Sequence, residues 1–197
     1  MQAIVSLLLA YLLGSISSAI VICKLMRLPD PRQAGSGNPG ATNVLRLSGK
    51  LPAVLTLIGD VAKGTLPVAA ASALTHDPVV IGAAALGAFL GHLYPVFFGF
   101  AGGKGIATAI GAYLGLNPLL CAGVVAVWLA VAALSRYSSL SSLLAMMSAP
   151  VILWYLDASY PLIAAGIVIF LFSVYRHKAN IHRLIDGEES KIKLSKS

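Results

Sequence analysis

The chain has 197 residues, of which 58% are hydrophobic and only 11% are charged, and its mean hydropathy is +0.87. This composition excludes an ordinary soluble domain, because apolar runs of about 20 residues, enough to cross a hydrocarbon core of about 30 Å, recur from end to end. The formal net charge of +7 is confined to a few polar segments. We therefore predict an integral membrane protein built from several helices.

Seven apolar segments predict an all-α, polytopic membrane protein with seven transmembrane helices. They cover approximately residues 3–23, 53–74, 79–98, 105–117, 118–134, 140–157 and 160–176. The first segment is longer than the apolar part of a signal peptide and has no basic residues before it, so we interpret it as a membrane helix. The fourth is short and glycine-rich, which favours a tilted or partial span. Since no polar stretch is long enough to form a separate core, we predict one transmembrane domain over residues 1–197.

The distribution of charge predicts the orientation of these helices. Placing the C-terminus in the cytosol puts every Lys and Arg except Lys63 on the cytosolic side, which indicates an external N-terminus. The residues on that side are Lys24, Arg27, Arg32, Arg46, Lys50, Lys104, Arg136, Arg176, Lys178, Arg183, Lys191, Lys193 and Lys196. The opposite face carries Asp77 and Asp157. Cys23 and Cys121 fall on opposite faces, so no disulfide is predicted.

The first inner segment contains a glycine loop, residues 35–46, which reads GSGNPGATNVLR. It matches the G-x-G-x-x-G pattern, but a dinucleotide site requires a preceding strand in a βαβ unit, and here a membrane helix precedes it. A flexible linker would need glycine and serine, but not Asn38, Thr42, Asn43 and Arg46. These side chains offer hydrogen-bond donors, so we predict that the loop binds a small polar ligand.

A second glycine loop, residues 102–108, reads GGKGIAT. It is not a Walker A motif, because Phe98 stands where that motif has its first glycine and Gly105 where it has serine or threonine. Glycines around Lys104 at the start of a helix direct backbone N–H groups, the helix dipole and an ammonium group at one anion. The alternative is a tight turn with a lysine that extends to the membrane surface.

Two further polar segments carry candidate residues. Residues 135–143, SRYSSLSSL, place hydroxyl groups beside Arg136, which suits either capping of the sixth helix or phosphate binding.

The tail, residues 175–183, reads YRHKANIHR. Attraction to anionic lipid explains its Lys and Arg residues. It does not explain His177 and Asn180, which lie three residues apart on one helical face.

Polar residues within the predicted spans are open to two interpretations. Asp60 and Lys63 have the i,i+3 spacing of an ion pair, and a role in shaping a site is the alternative. His92, near the cytosolic end of the third span, suits a buried structural or a functional histidine equally. No Cys/His cluster has metal-ligand spacing, and no nucleophile elbow or obvious general base is present. We predict no metal and no cofactor.

Taken in order, these motifs strongly resemble the signatures of the bacterial acyl-phosphate:glycerol-3-phosphate acyltransferases, the PlsY family. The first signature is residues 35–46, the second is residues 91–108 and the third is residues 136–143, while residues 175–184 resemble the C-terminal segment of the family. The resemblance covers nearly the whole chain. The chain departs from the pattern at Ala101, where a lysine is common in relatives.

The resemblance implies transfer of a fatty acyl group from acyl phosphate to the 1-hydroxyl of sn-glycerol 3-phosphate, giving lysophosphatidic acid and inorganic phosphate in the first acylation step of phospholipid synthesis. It implies a multi-pass protein of the bacterial inner membrane with its active site on the cytosolic face. The partners would be acyl phosphate, glycerol 3-phosphate, membrane lipid and a soluble enzyme that produces acyl phosphate, without nucleic acid. The missing base fits a route in which a substrate phosphate takes the hydroxyl proton.

The resemblance also assigns site residues. The expected catalytic residues are Ser36, Arg46, Lys104, Ser142, His177 and Asn180. The expected substrate- and phosphate-binding residues are Gly37, Asn38, Gly40, Thr42, Asn43, Gly102, Gly103, Gly105 and Thr108. A transporter of a phosphorylated metabolite is the alternative, since it also needs basic loops and broken helices. Its site would lie near the membrane midplane, whereas these motifs lie on one face.

Overall fold

A computed structural model describes residues 1–192, and within them every regular element is a helix. The all-α class is therefore confirmed. The helices are α1 (Gln2–Gly14), α2 (Ser18–Leu25), α3 (Ala41–Ser48), α4 (Lys50–Leu74), α5 (Pro78–Leu93), α6 (Ile106–Leu116), α7 (Pro118–Ser135), α8 (Ser138–Tyr155), α9 (Tyr160–Arg176) and α10 (Lys178–Ile185), with a 3₁₀ helix over Val96–Phe98. The segment predicted as a loop between residues 24 and 52 contains α3, so half of the first glycine motif is helical.

Within residues 1–192, five helical stretches are long and apolar enough to cross a membrane. They are Gln2–Leu25, Lys50–Leu74, Pro78–Phe98, Pro118–Ser135 and Ser138–Tyr155. A sixth is present if α9 and α10, bent by 62°, form one broken span. The predicted short fourth span corresponds to α6, an apolar helix of 11 residues. Seven spans and the orientation of the termini stay predictions, and Lys193 and Lys196 of the charge argument lie outside the described residues.

The first of two compact units is Met1–Pro118. In it α1 packs against α5, and α4 packs against α5 and α6. Glycines let these helices approach to backbone contact: a Cβ at Gly87 or Gly91 would collide with carbonyl oxygens of α1, and one at Gly111 with a carbonyl oxygen of α4. Small interface residues are how membrane helices gain packing energy, since lipid offers no hydrophobic drive. The C-terminal end of α5 is thus held firmly.

The second unit begins at Leu119, and in it α8 packs against α9, which continues into α10. The serine-rich segment is helical from Ser138 onward, and no side chain caps α8. The capping interpretation is therefore wrong. Instead the hydroxyls of Ser141 and Ser142 donate to carbonyl oxygens four residues earlier in the chain, at 2.7 and 2.8 Å.

Candidate functional site

One buried side chain, Asn43 of α3, organises the first glycine loop. Its Nδ2 donates to the carbonyl oxygens of Pro31 (2.8 Å) and Ala34 (3.1 Å), and its Oδ1 accepts the N–H of Ser36 at 3.0 Å. Gly35, with φ of +64°, passes so close to Oδ1 that a Cβ there would collide with it. The polar groups of Asn43 thus hold the loop against its own helix, a role that the sequence pattern did not reveal.

The folded loop presents the remaining predicted residues on its surface. Ser36, Gly37, Thr42 and Arg46 are exposed, and Asn38 and Gly40 are partly exposed. Gly40 precedes α3, which has no side-chain cap, so the first N–H groups of this helix have no capping side chain. Thr42 and Arg46 are four residues apart and therefore share a helical face. Backbone N–H groups and hydroxyls at the start of α3 suit a phosphate, and Arg46, in the last turn of this short helix, adds a positive charge.

Arg32, which precedes this loop, pairs with Asp30 and also contacts the segment that precedes the second loop. The guanidinium Nη2 of Arg32 lies 2.7 Å from Asp30 Oδ2, and its Nε lies 3.1 Å from both carboxylate oxygens. The hydrogen bond from Arg32 lowers the pKa of Asp30 below its ordinary value. The same guanidinium donates from Nη1 to the carbonyl oxygen of Phe98 at 3.4 Å. The two glycine loops are therefore neighbours within the first unit.

The second glycine loop lies directly on the C-terminal end of α5. The N–H of Gly103 donates to the carbonyl oxygen of His92 at 3.1 Å. A Cβ at Gly103 would collide with the imidazole Nε2 of His92, one at Gly102 with the carbonyl oxygen of His92, and one at Gly105 (φ +80°) with the ring of Phe89. All three glycines are required for this close packing, and Lys104 lies partly buried between them.

Beneath the second loop lies a buried polar cluster. Lys63 Nζ is 2.9 Å from Asp60 Oδ1, so the predicted ion pair is present. His92 Nδ1 is 3.5 Å from the same oxygen and 3.1 Å from the hydroxyl of Thr108. Thr108 is fully buried. As the last residue of the motif, it lies in the first turn of α6 and contacts His92.

In the second unit the three predicted residues are all buried. The hydroxyl of Ser142 donates to the carbonyl oxygen of Ser138 and accepts the indole N–H of Trp128 at 3.2 Å. His177 Nδ1 lies 2.8 Å from the carbonyl oxygen of Ser173. A carbonyl can only accept, so Nδ1 carries a proton and donates it to this oxygen. Asn180 donates from Nδ2 to a carboxylate oxygen of Glu189 at 2.7 Å.

Glu189 is the residue that sequence reasoning missed. Its carboxylate accepts from the Ser139 hydroxyl at 2.7 Å, from Asn180 and from Arg183 Nε at 2.8 Å. Burial opposes its charge, but the hydrogen bonds from these three side chains prevail and lower its pKa. Its one visible signal in the sequence is a short acidic run, Asp186, Glu188 and Glu189, in an otherwise basic tail. A turn through Gly187 (φ +73°) brings Glu189 back onto α10.

Comparison with known proteins identifies the family. The family model for glycerol-3-phosphate acyltransferase matches residues 4–187. The glycerol-3-phosphate acyltransferase of Halorhodospira halophila is 55% identical over 192 residues, which cover 98% of both chains. That of Thioalkalivibrio sulfidiphilus is 54% identical over 183 residues, covering 93% of this chain and 90% of the relative.

Solved structures agree with these sequence matches. The glycerol 3-phosphate form of PlsY (YgiH), an integral membrane glycerol 3-phosphate acyltransferase, superposes with a TM-score of 0.93 at 40% identity, covering 98% of this chain and 96% of that chain. Its lysophosphatidic acid form gives a TM-score of 0.91 at 39% identity over the same shares.

The fold and these matches together define an integral membrane enzyme of lipid synthesis that transfers acyl groups. The chain belongs to the glycerol-3-phosphate acyltransferases, the PlsY family. The resemblance stated from the motifs is therefore confirmed, and the transporter alternative receives no support. The roles of the individual site residues stay predictions.

Proposed function

We propose that the protein moves a fatty acyl group from acyl phosphate to the 1-hydroxyl of sn-glycerol 3-phosphate, forming lysophosphatidic acid and inorganic phosphate. One observation carries this proposal: two glycine loops, whose preceding segments are hydrogen-bonded through Arg32 and Phe98, each lead into a helix and carry a basic side chain. Two adjacent anion sites fit a reaction in which both donor and acceptor carry phosphate. The glycerol 3-phosphate and lysophosphatidic acid forms of the solved relative support the acceptor and the product.

The proposed chemistry needs positioning more than a protein base. The hydroxyl oxygen attacks the acyl carbon, the bond from that carbon to the phosphate oxygen breaks, and phosphate leaves with the electron pair. The hydroxyl proton passes to a substrate phosphate oxygen. The protein would hold the two reactants together and stabilise the developing charge with Lys104, Arg46 and backbone N–H groups. Rescue of a His or Asp variant by external imidazole would contradict this route.

The acyl chain requires an apolar path open to the lipid. A groove of about 270 Å³ runs between the first span and α4, lined by Leu13, Ile16, Val21, Leu55, Ala62 and Leu66 among others. We propose that this groove takes part of the chain. Most of its lining is apolar, with Ser18 and Lys63 as polar members, which suits methylene groups packed against side chains.

The membrane arrangement belongs to the same proposal. Seven spans result if α6 and the α9–α10 pair each count as one crossing, and the positive residues then indicate an external N-terminus, a cytosolic C-terminus and a cytosolic active site in the inner membrane. Membrane lipid surrounds this single transmembrane domain. A soluble enzyme that supplies acyl phosphate is the predicted partner.

The test uses purified protein with acyl phosphate and glycerol 3-phosphate. We expect equal amounts of phosphate and lysophosphatidic acid, because each transfer releases one of each. Lysophosphatidic acid formed from an acyl thioester but not from acyl phosphate would overturn the donor assignment. Uptake of glycerol 3-phosphate into sealed vesicles without an acylated product would overturn the reaction itself.

A further inference from the structure

Four buried polar residues at the base of the second glycine loop take no part in the proposed chemistry. Asp60, Lys63, His92 and Thr108, here called the buried quartet, are all less than 8% exposed. Charged groups are costly inside a membrane protein, and those that persist there usually serve a site. The contacts of the quartet indicate which site it serves.

At one end of the quartet, Lys63 is anchored to the break in the first span. Its Nζ donates at 2.8 Å to the carbonyl oxygen of Ile16, a residue that lies between α1 and α2. The carboxylate of Asp60 lies between this ammonium group and the imidazole of His92, at 2.9 and 3.5 Å. Within the described residues Asp60 Oδ1 accepts no well-directed hydrogen bond, so charge holds it in place.

The carboxylate determines how the imidazole faces the loop. A negative charge beside Nδ1 favours the tautomer with its proton on Nδ1, which then donates to the hydroxyl of Thr108. The other ring nitrogen, Nε2, is the atom that faces Gly103. The Asp60–Lys63 pair therefore controls the ring edge on which the loop rests.

His92 holds Gly103 from two directions. Its carbonyl oxygen accepts the N–H of Gly103 at 3.1 Å, and its ring leaves no room for a Cβ on that residue. Gly103 directly precedes Lys104, so a tilt of the imidazole would move the backbone that carries the lysine.

We propose that His92 is a positioning residue, oriented by Asp60, Lys63 and Thr108, that holds the second glycine loop in the shape that binds a substrate phosphate. This inference rests on the proposed function only in assigning that loop to a phosphate. A residue that merely filled the core would affect stability, whereas a positioning residue affects substrate affinity in a folded protein.

The first experiment compares His92→Ala with His76→Ala, an exposed histidine between α4 and α5. In the His92 variant we expect KM for glycerol 3-phosphate or for acyl phosphate to rise by about 10- to 100-fold, the range seen when a group that orients a metal ligand is removed. We expect kcat to change less, and His76→Ala to match the wild type. Unchanged KM for both substrates in a folded His92→Ala protein would overturn the proposal.

A binding measurement separates this inference from the proposed reaction. Both substrates should raise the melting temperature of the wild type in detergent, and His92→Ala should lose this effect for at least one of them. If the wild type releases no phosphate from acyl phosphate but the binding difference persists, the proposed donor fails and the positioning role stands. A full melting-temperature increase with both substrates in His92→Ala would refute the positioning role.

A double-mutant cycle tests the contact itself. Gly103→Ala should impair binding because its Cβ meets Nε2, and His92→Ala removes that obstacle. We therefore expect the double variant to be no worse than His92→Ala alone. Gly111→Ala is the control, since its Cβ would meet the backbone of Val61, and its effect should add to that of His92→Ala. Additive losses for Gly103→Ala would contradict the steric coupling.

The charge pair provides a final test. Asp60→Asn leaves Lys63 buried without its counter-ion, so this variant is expected to fold poorly. Asp60→Asn combined with Lys63→Met removes both charges and should restore the folded protein. It should not restore affinity, because the ring of His92 has lost the carboxylate that orients it. Wild-type KM values in this double variant would show that the pair does not act on the loop.

Discussion

At the scale of single residues, Lys104 carries the most specific prediction. It is the one charged side chain between Gly99 and Gly105, at the start of α6. Lys104→Ala should remove most of the activity because the second anion site loses its ammonium group, while melting temperature and helical content stay near wild type. Lys50→Ala, which removes an exposed cation at the start of α4, is the matched control. Wild-type turnover in Lys104→Ala would refute the assignment of this loop.

Glu189 predicts how the second unit responds to acid. Its folded-state pKa is below its ordinary value, so its contribution to stability is complete above about pH 4.3 and is lost as the pH falls through the lower, folded-state pKa. We expect proteolysis after Ile185 to accelerate in that acid range. Glu189→Gln should be cleaved faster at neutral pH, and its cleavage rate should not increase further as the pH falls through this range. If acid still accelerates cleavage of the glutamine variant to the same extent, another titrating group causes the acceleration.

At the scale of elements, the first glycine loop depends on α3 through Asn43. Asn43→Ala removes three hydrogen bonds and should destabilise the protein by about 1–3 kcal/mol. Asn43→Asp retains the acceptor for Ser36 but loses both donors. We expect activity to fall in both variants, and residues 31–40 to become more sensitive to protease. If residues 31–40 stay protected in Asn43→Ala, other contacts hold the loop.

The groove beside α4 makes a prediction about acyl-chain length. Ala62→Phe should fill part of it, so turnover of long-chain acyl phosphates should fall more than that of short-chain ones. The measurement is kcat/KM against chain length. Ala70→Phe, exposed on the same helix, should leave the profile unchanged. An equal loss at every chain length in Ala62→Phe would place the acyl chain elsewhere.

The elements themselves were largely predictable. Every apolar segment contains a helix, since hydropathy and length depend on the local sequence alone. The errors fell where polar residues form helices: α3 lies within a predicted loop, and α8 begins at Ser138 without a serine cap. In both places tertiary contacts outweigh the turn propensity of the residues.

At the scale of the whole molecule, the orientation can be measured in a background without Cys23 and Cys121. A cysteine at position 75, between α4 and α5, should react with an impermeant thiol reagent in intact cells, because the predicted topology places it outside. A cysteine at position 50, at the exposed start of α4, should react only after permeabilisation. The reverse pattern would invert the topology, and labelling of both in intact cells would contradict the predicted span count.

The membrane class, the helical architecture and the family follow from the linear chain, because apolar runs, charge placement and long motifs are local properties of it. Only the tertiary structure showed that Asn43 bonds to its own loop, that Glu189 joins Ser139 to Arg183, and that His92 lies under Gly103. The physical reason is that these roles are contacts between side chains and distant backbone. Spacing along the chain does not encode such contacts until the helices pack.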